Sequence, residues 1–202
     1  MEVHLRALWL LPHQNALPPA VSSGDLTKYA KRYGSEAEVR SSVKDYLVQN
    51  ADNINDAPLQ LVALEVLLKE TSIQSKNIQR IPEKHRLLMF RTVACSGLDR
   101  WAPDVLGGDP ESMYNLLHEH IALTTFEQVA SAFGYSHMGI NLSFITNFSL
   151  LHRLYRSFVF SYMFGLAKAE QRKPGSVAKG KEMTNVFKHR SDVSPSISDM
   201  KF

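Results

Sequence analysis

The sequence predicts an all-α protein, and three observations support this class. Apolar residues recur at spacings of three and four in several segments, as expected for helices with one buried face. Patterns that cap a helix N-terminus, a Ser or Thr followed three residues later by Glu or Gln, precede two of these segments. The apolar-polar alternation of strands is scarce. With 202 residues, of which 44% are hydrophobic and 21% charged, the chain is long enough to bury a core.

Composition divides the chain into three regions. Residues 1–34 include the Pro- and Ser-containing stretch "LPHQNALPPAVSSG" and are predicted to form an irregular N-terminal arm. Residues 35–173 carry the helical patterns and form the predicted core. Residues 174–202 are poor in apolar residues and rich in Ser, Lys and Gly, which predicts a disordered basic tail. From Lys168 onward there are eight Lys or Arg against four Asp or Glu, so the net charge of +3 resides in this part.

Capping residues and helix-breaking residues predict where the first helices of the core begin and end. Ser35 and Glu38 form a capping box before an apolar stripe that consists of Val39, Val43, Tyr46 and Leu47. Pro58 suits the first turn of the next helix, "PLQLVALEVLL", which is apolar on most of its circumference and is predicted to lie centrally. Residues 71–86 are polar and basic and are predicted to form a connection. The segment after them predicts a helix that ends near Gly97.

Three further helices are predicted in the second half. Asp109-Pro110 opens "ESMYNLLHEHIAL". The stretch "TTFEQVASAF" predicts a separate helix, capped by Thr125 with Gln128 as the reciprocal partner. The last helix is predicted from about Asn147 to Lys173, before Pro174. Its apolar part contains one His and two Arg near the centre, which favours a buried helix and predicts no membrane span.

No residue pattern predicts an enzyme. His118 and His120 flank Glu119, but positions two apart on a helix do not share a face, so they are predicted to be surface residues and not metal ligands. The single cysteine, Cys95, is predicted to be a small buried apolar residue. The glycines lack the spacing of a phosphate-binding loop. The sequence therefore predicts no catalytic residues, no metal, no cofactor and no small-molecule substrate.

Three classes of function without catalysis are considered: a protein that coats RNA, described below, and two alternatives to it. A helix-turn-helix regulator of DNA is suggested by residues 125–143, where a small residue, the turn glycine Gly134 and the aliphatic Ile140 fall at suitable positions. Its second helix would be "SHMGINLSF", which contains Gly139 and lacks the Arg or Lys that usually contact DNA. The other alternative is a helical protein-protein adaptor.

Basic residues favour a surface that binds the phosphates of single-stranded RNA without reading sequence. The predicted RNA-binding residues are Arg80, Lys84, Arg86, Arg91, Arg153, Arg156, Lys168, Arg172 and Lys173. Arg153 and Arg156 lie in an otherwise apolar helix, so we expect them to line a groove or to pair with a core carboxylate. Tyr155, Phe158 and Tyr162 are candidate stacking residues, although an aromatic stripe more often belongs to a core.

Three segments resemble coat proteins of flexible filamentous plant RNA viruses of the closterovirus and flexivirus kinds. "TFEQVASAF" is similar to their segment T-[L/F]-R-Q-x4-[F/Y], with Glu127 at the position of the arginine. Upstream, "ALEVLLKETSIQSKNI" resembles an apolar helix and its "GTSxK" turn. "RSFVFSYMFGL" lies where the family has an aromatic-Asp-aromatic segment, with Val159 or Phe160 in place of the aspartate. Thr125, Phe126, Gln128 and Phe133 match as structural residues.

The resemblance implies a nucleocapsid subunit with an all-helical core and two terminal arms. Such subunits self-associate into a helical filament and package single-stranded RNA in an inner groove. It further implies a protein of the virion and the host cytoplasm. Since the family's arginine and aspartate have no counterpart, the RNA-binding residues above come from charge and not from the resemblance.

Overall fold

The computed structural model describes residues 1–49, 58–107 and 109–178 of the chain. Within these residues the regular structure is helical and no strand occurs, which confirms the all-α class. The α-helices are α1 (Glu2–Leu8), α2 (Ser23–Ala30), α3 (Glu36–Gln49), α4 (Pro58–Leu68), α5 (Ile73–Gln79), α6 (Glu83–Cys95), α7 (Met113–Ser131), α8 (Phe148–Ser157) and α9 (Phe164–Arg172).

Helix α7 forms the centre of the molecule. It contacts α1, α2, α3, α6 and α8, and most of its 19 residues are buried. Because it is covered on nearly every side, it has apolar residues around its whole circumference and needs no single apolar face. Beside it, the rings of Trp9 and Trp101 meet edge to face at 4.8 Å, and the Trp101 indole donates a hydrogen bond of 2.9 Å to the carbonyl of His118. This aromatic core fixes the N-terminus of the chain against α7.

The predicted irregular arm at residues 1–34 is irregular at residues 9–22 and 31–34, as expected, but it also contains two helices that were not predicted. Residues 2–8 form α1, in which Leu5, Ala7 and Leu8 are buried, and residues 23–30 form α2 with Ser22 as its cap. His4 on α1 donates from Nε2 to the carbonyl of Ala122 at 3.0 Å. The first helix is thus part of the core, because its apolar side finds a surface on α5 and α7.

Two predictions in the first half of the core are also corrected. Helix α4 lies at the periphery, where it packs on α5 and α6 and exposes Val62 and Val66 to solvent. The predicted basic connection contains α5, whose N-terminus is capped by the Ser72 side chain. The predicted capping box of α3 is confirmed in part: Ser35 Oγ accepts from the backbone N–H of Glu38, whereas the Glu38 carboxylate accepts from the N–H of Gly34, one residue before the cap.

The two helices predicted around residues 111–133 are one helix. Thr125 does not cap a helix; it lies inside α7, where its hydroxyl donates to the carbonyl of Ile121 at 2.6 Å. Ser112 caps the N-terminus instead. Nothing between the two predicted segments breaks a helix, so the helix continues through them.

The second helix of a helix-turn-helix unit is absent from residues 132–147. In its place lie two short 3₁₀ helices, Ser136–Met138 and Leu142–Phe144, separated by Gly139 in the left-handed conformation. The structure therefore contradicts the helix-turn-helix interpretation of residues 125–143, since no recognition helix follows the turn.

The last predicted helix is confirmed at both ends. Asn147 caps α8 and α9 ends at Arg172. Between them the chain forms a π-helix, Phe158–Met163, so that α8, the π-helix and α9 follow one another without a break. The predicted tail lies outside the described residues from 179 onward. None of the described helices is long and apolar enough to cross a membrane.

Candidate nucleic-acid interface

A cleft with positively charged side chains in its lining opens where α3, α7 and α8 meet. It encloses a cavity of about 330 Å³. The residues that line it are Arg40, Lys44, His120, Leu123, Thr124, Glu127, Phe148 and His152. The lining therefore combines two fixed positive charges, two imidazoles, one carboxylate and one aromatic ring.

Helix α3 supplies the positive charges. Arg40 and Lys44 are one turn apart and share a face, while Val39 and Val43 on the other side of the helix are buried. The Arg40 guanidinium lies 2.9 Å from the Glu36 carboxylate, one turn earlier. This pair is exposed and contributes little to stability, so the guanidinium remains available to a stronger anion.

Helix α7 contributes a buried polar edge to the floor of the cleft. His118, Glu119 and His120 are all buried, so the predicted surface location of these three residues is wrong. They do point in different directions, as their spacing predicted: His118 donates to the carbonyl of Tyr114, whereas His120 donates to the Glu36 carboxylate at 3.1 Å. Within the described residues no group of three or more His, Cys, Asp or Glu is placed to hold a metal ion.

Glu119 is the buried charge of this site. Its carboxylate lies 3.3 Å from the Arg156 guanidinium and 3.1 Å from His152 Nε2, and Arg156 also pairs with Glu111. The side chain of Glu119 is only 1% exposed. Burial raises the pKa of Glu119 to about 7, although Arg156 acts in the opposite direction. Near neutral pH this carboxyl group is therefore divided between its charged and neutral forms.

The two imidazoles of the cleft are neutral at pH 7. Burial lowers the pKa of His120, and the nearby Arg40 adds to this effect. The pKa of His152 is lowered by burial and then by Arg156. The fixed charges of the lining are consequently Arg40 and Lys44 against Glu127, a small positive excess that grows when the imidazoles gain protons.

Phe148 gives the cleft an exposed aromatic surface. It is the first residue of α8, and more than half of its surface is open to solvent. His152, one turn further along α8, lines the same cavity. An exposed ring beside positive charges is the arrangement by which single strands are held: phosphates bind the cations and bases stack on the ring.

Two of the predicted RNA-binding arginines, Arg86 and Arg156, have partners within the fold. Arg86 donates to the carbonyls of Gln79 and Ile81 and so closes the C-terminal end of α5. Arg156 holds Glu111 and Glu119. The prediction that Arg156 either lines a groove or pairs with a core carboxylate is thus resolved in favour of pairing.

The other predicted RNA-binding residues are spread over the surface. Arg80 and Lys84 are exposed at the junction of α5 and α6, Arg153 is exposed on α8, and Arg172 and Lys173 are exposed at the end of α9. Arg91 and Lys168 are half-buried, and the Lys168 ammonium lies over the Phe164 ring. None of the nine lines the cleft.

The candidate stacking residues differ in exposure. Tyr155 is fully buried and belongs to the core, so it does not stack bases. Phe158 is half-buried with the Arg6 guanidinium 5.3 Å above its ring, and Tyr162 is partly exposed beside it.

Sequence reasoning missed Arg40 and Lys44. The available signal was their spacing of four on the polar side of a helix whose apolar side was correctly identified. That signal marks a positive face but not a cleft, because the walls on α7 and α8 lie some 80 to 110 residues further along the chain.

No family model, no curated protein and no solved structure matches the chain.

Proposed function

We propose that this protein is a structural subunit that coats single-stranded RNA, and that the cleft between α3, α7 and α8 is its RNA-binding surface. The observation that carries the proposal is the placement of Arg40, Lys44 and the exposed ring of Phe148 around one cavity. On this proposal the protein acts in the virion and the host cytoplasm, assembles into a helical filament and performs no catalysis.

The geometry favours non-specific binding. Arg40 and Lys44 offer charge to phosphates, which carry no sequence information. Phe148 offers a flat face to any base. The polar groups deeper in the cleft are engaged with one another, since His120 is bonded to Glu36 and His152 lies against Glu119. The arrangement thus suits a coat that covers every sequence of a genome.

Binding of a short fluorescent single-stranded RNA, followed by anisotropy at several salt concentrations, tests the proposal. We expect the double variant R40A/K44A to bind at least ten-fold more weakly than the wild type. The salt dependence should fall as well, because each lost phosphate contact lowers the slope of log K against log salt by about 0.7 for a single strand. Phe148→Ala should cost about 1–3 kcal/mol of binding energy through lost stacking.

The double variant R80A/K84A is the matched control, since it removes the same charge from the exposed junction of α5 and α6. It should retain most of the affinity. Equal losses in both double variants would move the site away from the cleft. A wild-type protein that binds no RNA at low salt would refute the coat function itself.

A further inference from the structure

Each imidazole of the cleft lies against a carboxylate of a neighbouring helix. His120 on α7 donates from Nε2 to Glu36 Oε1 on α3 at 3.1 Å. His152 on α8 places its Nε2 3.1 Å from Glu119 Oε1 on α7. Both rings line the cavity that also holds the cationic side chains of α3. A proton gained by either ring therefore adds positive charge where a phosphate would bind, and the carboxylate beside it stabilises that charge.

The Glu36 carboxylate is shared between a fixed cation and an imidazole. Its Oε1 accepts from the Arg40 guanidinium at 2.9 Å and from His120 at 3.1 Å. A phosphate that draws Arg40 to itself leaves His120 as the partner of Glu36, and the carboxylate then favours the protonated imidazole. Burial and then the charge of Arg40 lower the pKa of His120, and a bound phosphate offsets that charge. Phosphate binding and proton uptake at His120 thus favour each other.

The carboxyl group of Glu119 is a second place for a proton at the edge of the cleft. Its side chain is 1% exposed, and Arg156 bonds to Oε2. The other oxygen, Oε1, has no hydrogen-bond donor within the part of the chain that the structure describes, although His152 Nε2 is near. A buried charged oxygen without a donor is unfavourable, so a proton on Glu119 or on His152 relieves this pair. The raised pKa of Glu119, about 7, agrees with this geometry.

The other charged and titratable groups that face these three sites lie on α3, α7, α8 and the turn before α7. Their cations and carboxylates are equal in number, and the one phenol among them is neutral because burial raises its pKa. Between pH 8 and 6 the charge of this region therefore changes mainly at the three sites. The facing groups are Glu36, Arg40, Lys44, Glu111, Glu127, Tyr155 and Arg156.

We propose that RNA binding in this cleft is coupled to proton uptake by His120, His152 and Glu119, so that the protein holds RNA more tightly at pH 6 than at pH 8. The inference rests on the proposed function, since it concerns the same cleft, and it adds a means of regulation. The phosphates of RNA keep their charge over this range, so the change in affinity comes from the protein.

The affinity of the wild type for a short fluorescent oligouridine, measured at pH 6 and pH 8 at constant salt, tests the proposal. Uracil has no group that titrates between these values. We expect about ten-fold tighter binding at pH 6, because each pKa that rises by one unit on binding contributes a factor of up to ten. Isothermal titration calorimetry at pH 7, in two buffers that differ in ionisation enthalpy, should show net proton uptake when the oligouridine binds.

Variants that cannot titrate locate the protons. Glutamine keeps a nitrogen near the position of histidine Nε2, so His120→Gln and His152→Gln retain the contact to the carboxylates. The affinity ratio between the two pH values should fall in H152Q, whose side chain is 43% exposed and replaceable without loss of the fold, and in E119Q. It should be close to one in H120Q/H152Q/E119Q. The control is His13→Asn, an exposed histidine outside the cleft, which should keep the wild-type ratio. Circular dichroism at both pH values verifies folding.

The possible failures of the two proposals differ. A wild type that binds oligouridine equally well at both pH values, or that takes up no proton, would overturn the coupling. A pH dependence that persists in the triple variant, or that disappears in H13N, would also overturn it, because the protons would then bind elsewhere. In each of these cases the RNA function stands if R40A/K44A still weakens binding. A wild type that binds oligouridine at neither pH would refute both proposals.

Discussion

Two buried polar clusters lie along α7, and they differ in the partners of the buried group: uncharged in one cluster, charged in the other. At one place the His4 ring is held by hydrogen bonds to the uncharged groups of Ala122, Thr125 and Tyr135. At the other, Glu119 is held by the charged Arg156 and by His152 at the edge of the cleft. The first cluster contributes only hydrogen bonds to the fold. The second holds a buried carboxyl group beside an arginine and a histidine, so its state depends on pH.

The clusters should give opposite pH dependence of stability. Burial lowers the pKa of His4 to about 3, below its unfolded value near 6.5, so this group destabilises the fold as the pH falls below about 6.5. Burial raises the pKa of Glu119 to about 7, above its unfolded value near 4.5, so this group destabilises the fold as the pH rises from about 4.5 to 7. Three substitutions, taken from the largest expected effect to the smallest, test this contrast, and a fourth, with the smallest effect, tests the backbone at Phe133 outside both clusters.

His4→Ala should have the largest effect. It creates a cavity against α7 and leaves the Tyr135 hydroxyl without its hydrogen-bond partner, at a cost of about 3–5 kcal/mol in the free energy of unfolding at pH 7.5. The difference between the two proteins should be smaller at pH 5. At that pH the wild type is itself destabilised, because its buried His4 stays neutral while the unfolded chain takes up a proton, and the variant has no such group. Urea unfolding at the two pH values measures both effects. Tyr135→Phe, which removes one hydroxyl, is the milder control at about 1–2 kcal/mol.

Arg156→Met should come next, at about 3 kcal/mol at pH 8. It removes the guanidinium from a buried carboxylate and leaves only a largely neutral imidazole beside it. At pH 5.5 Glu119 accepts a proton and the loss should be smaller. Arg153→Met on the same helix removes an exposed arginine and should change stability by less than about 0.5 kcal/mol. Equal losses at both pH values would show that Arg156 acts through packing alone.

Glu119→Gln should change the pH dependence more than the stability itself. The wild type loses stability between about pH 4.5 and 7 through this group, by up to about 3 kcal/mol for a pKa shift from 4.5 to about 7. The amide does not titrate, so the free energy of unfolding of the variant should rise relative to that of the wild type as the pH increases. Unfolding curves across this range give the difference directly. Parallel curves for the two proteins would contradict a raised pKa of Glu119.

Phe133→Gly should have the smallest effect and the opposite sign. Removing the side chain relieves the left-handed backbone and should stabilise the subunit by up to about 1 kcal/mol, partly offset by the greater freedom of glycine when unfolded. Ala132→Gly, one residue earlier at a negative φ, should destabilise it instead. Thermal melting of the two variants measures both effects, and a lower melting temperature for both would show that the left-handed backbone of Phe133 is not strained.

Local signals in the sequence predicted part of this fold. The Ser35 cap with its apolar stripe defined α3, and Asn147 with Pro174 defined the last helical stretch, because caps and breakers act within a few residues. The position of α1 was not predictable in this way. A helix of seven residues has little stability by itself, and its apolar side forms a helix only against the surface that α5 and α7 provide.

The site was less accessible to prediction for the same reason. Counting charges identified Arg156 but could not reveal that Glu119, 37 positions away, is its partner. The local pattern around Thr125 resembled a cap, although its hydroxyl bonds to the preceding turn inside a longer helix. Arg40 and Lys44 become a candidate site only when two distant helices enclose them.

The π-helix between α8 and α9 keeps the buried residues of this continuous helical stretch on one side. Leu151, Tyr155, Val159, Met163 and Ala167 are all buried, although they recur strictly every fourth residue. In a continuous α-helix of 3.6 residues per turn such a series would rotate by about 40° at each step and leave the core after a few turns. The wider turn of the π-helix takes up this excess and returns Met163 and Ala167 to the same side. Loss of a single residue from 158–163 would therefore leave the helix intact but turn α9 to a different side of the molecule.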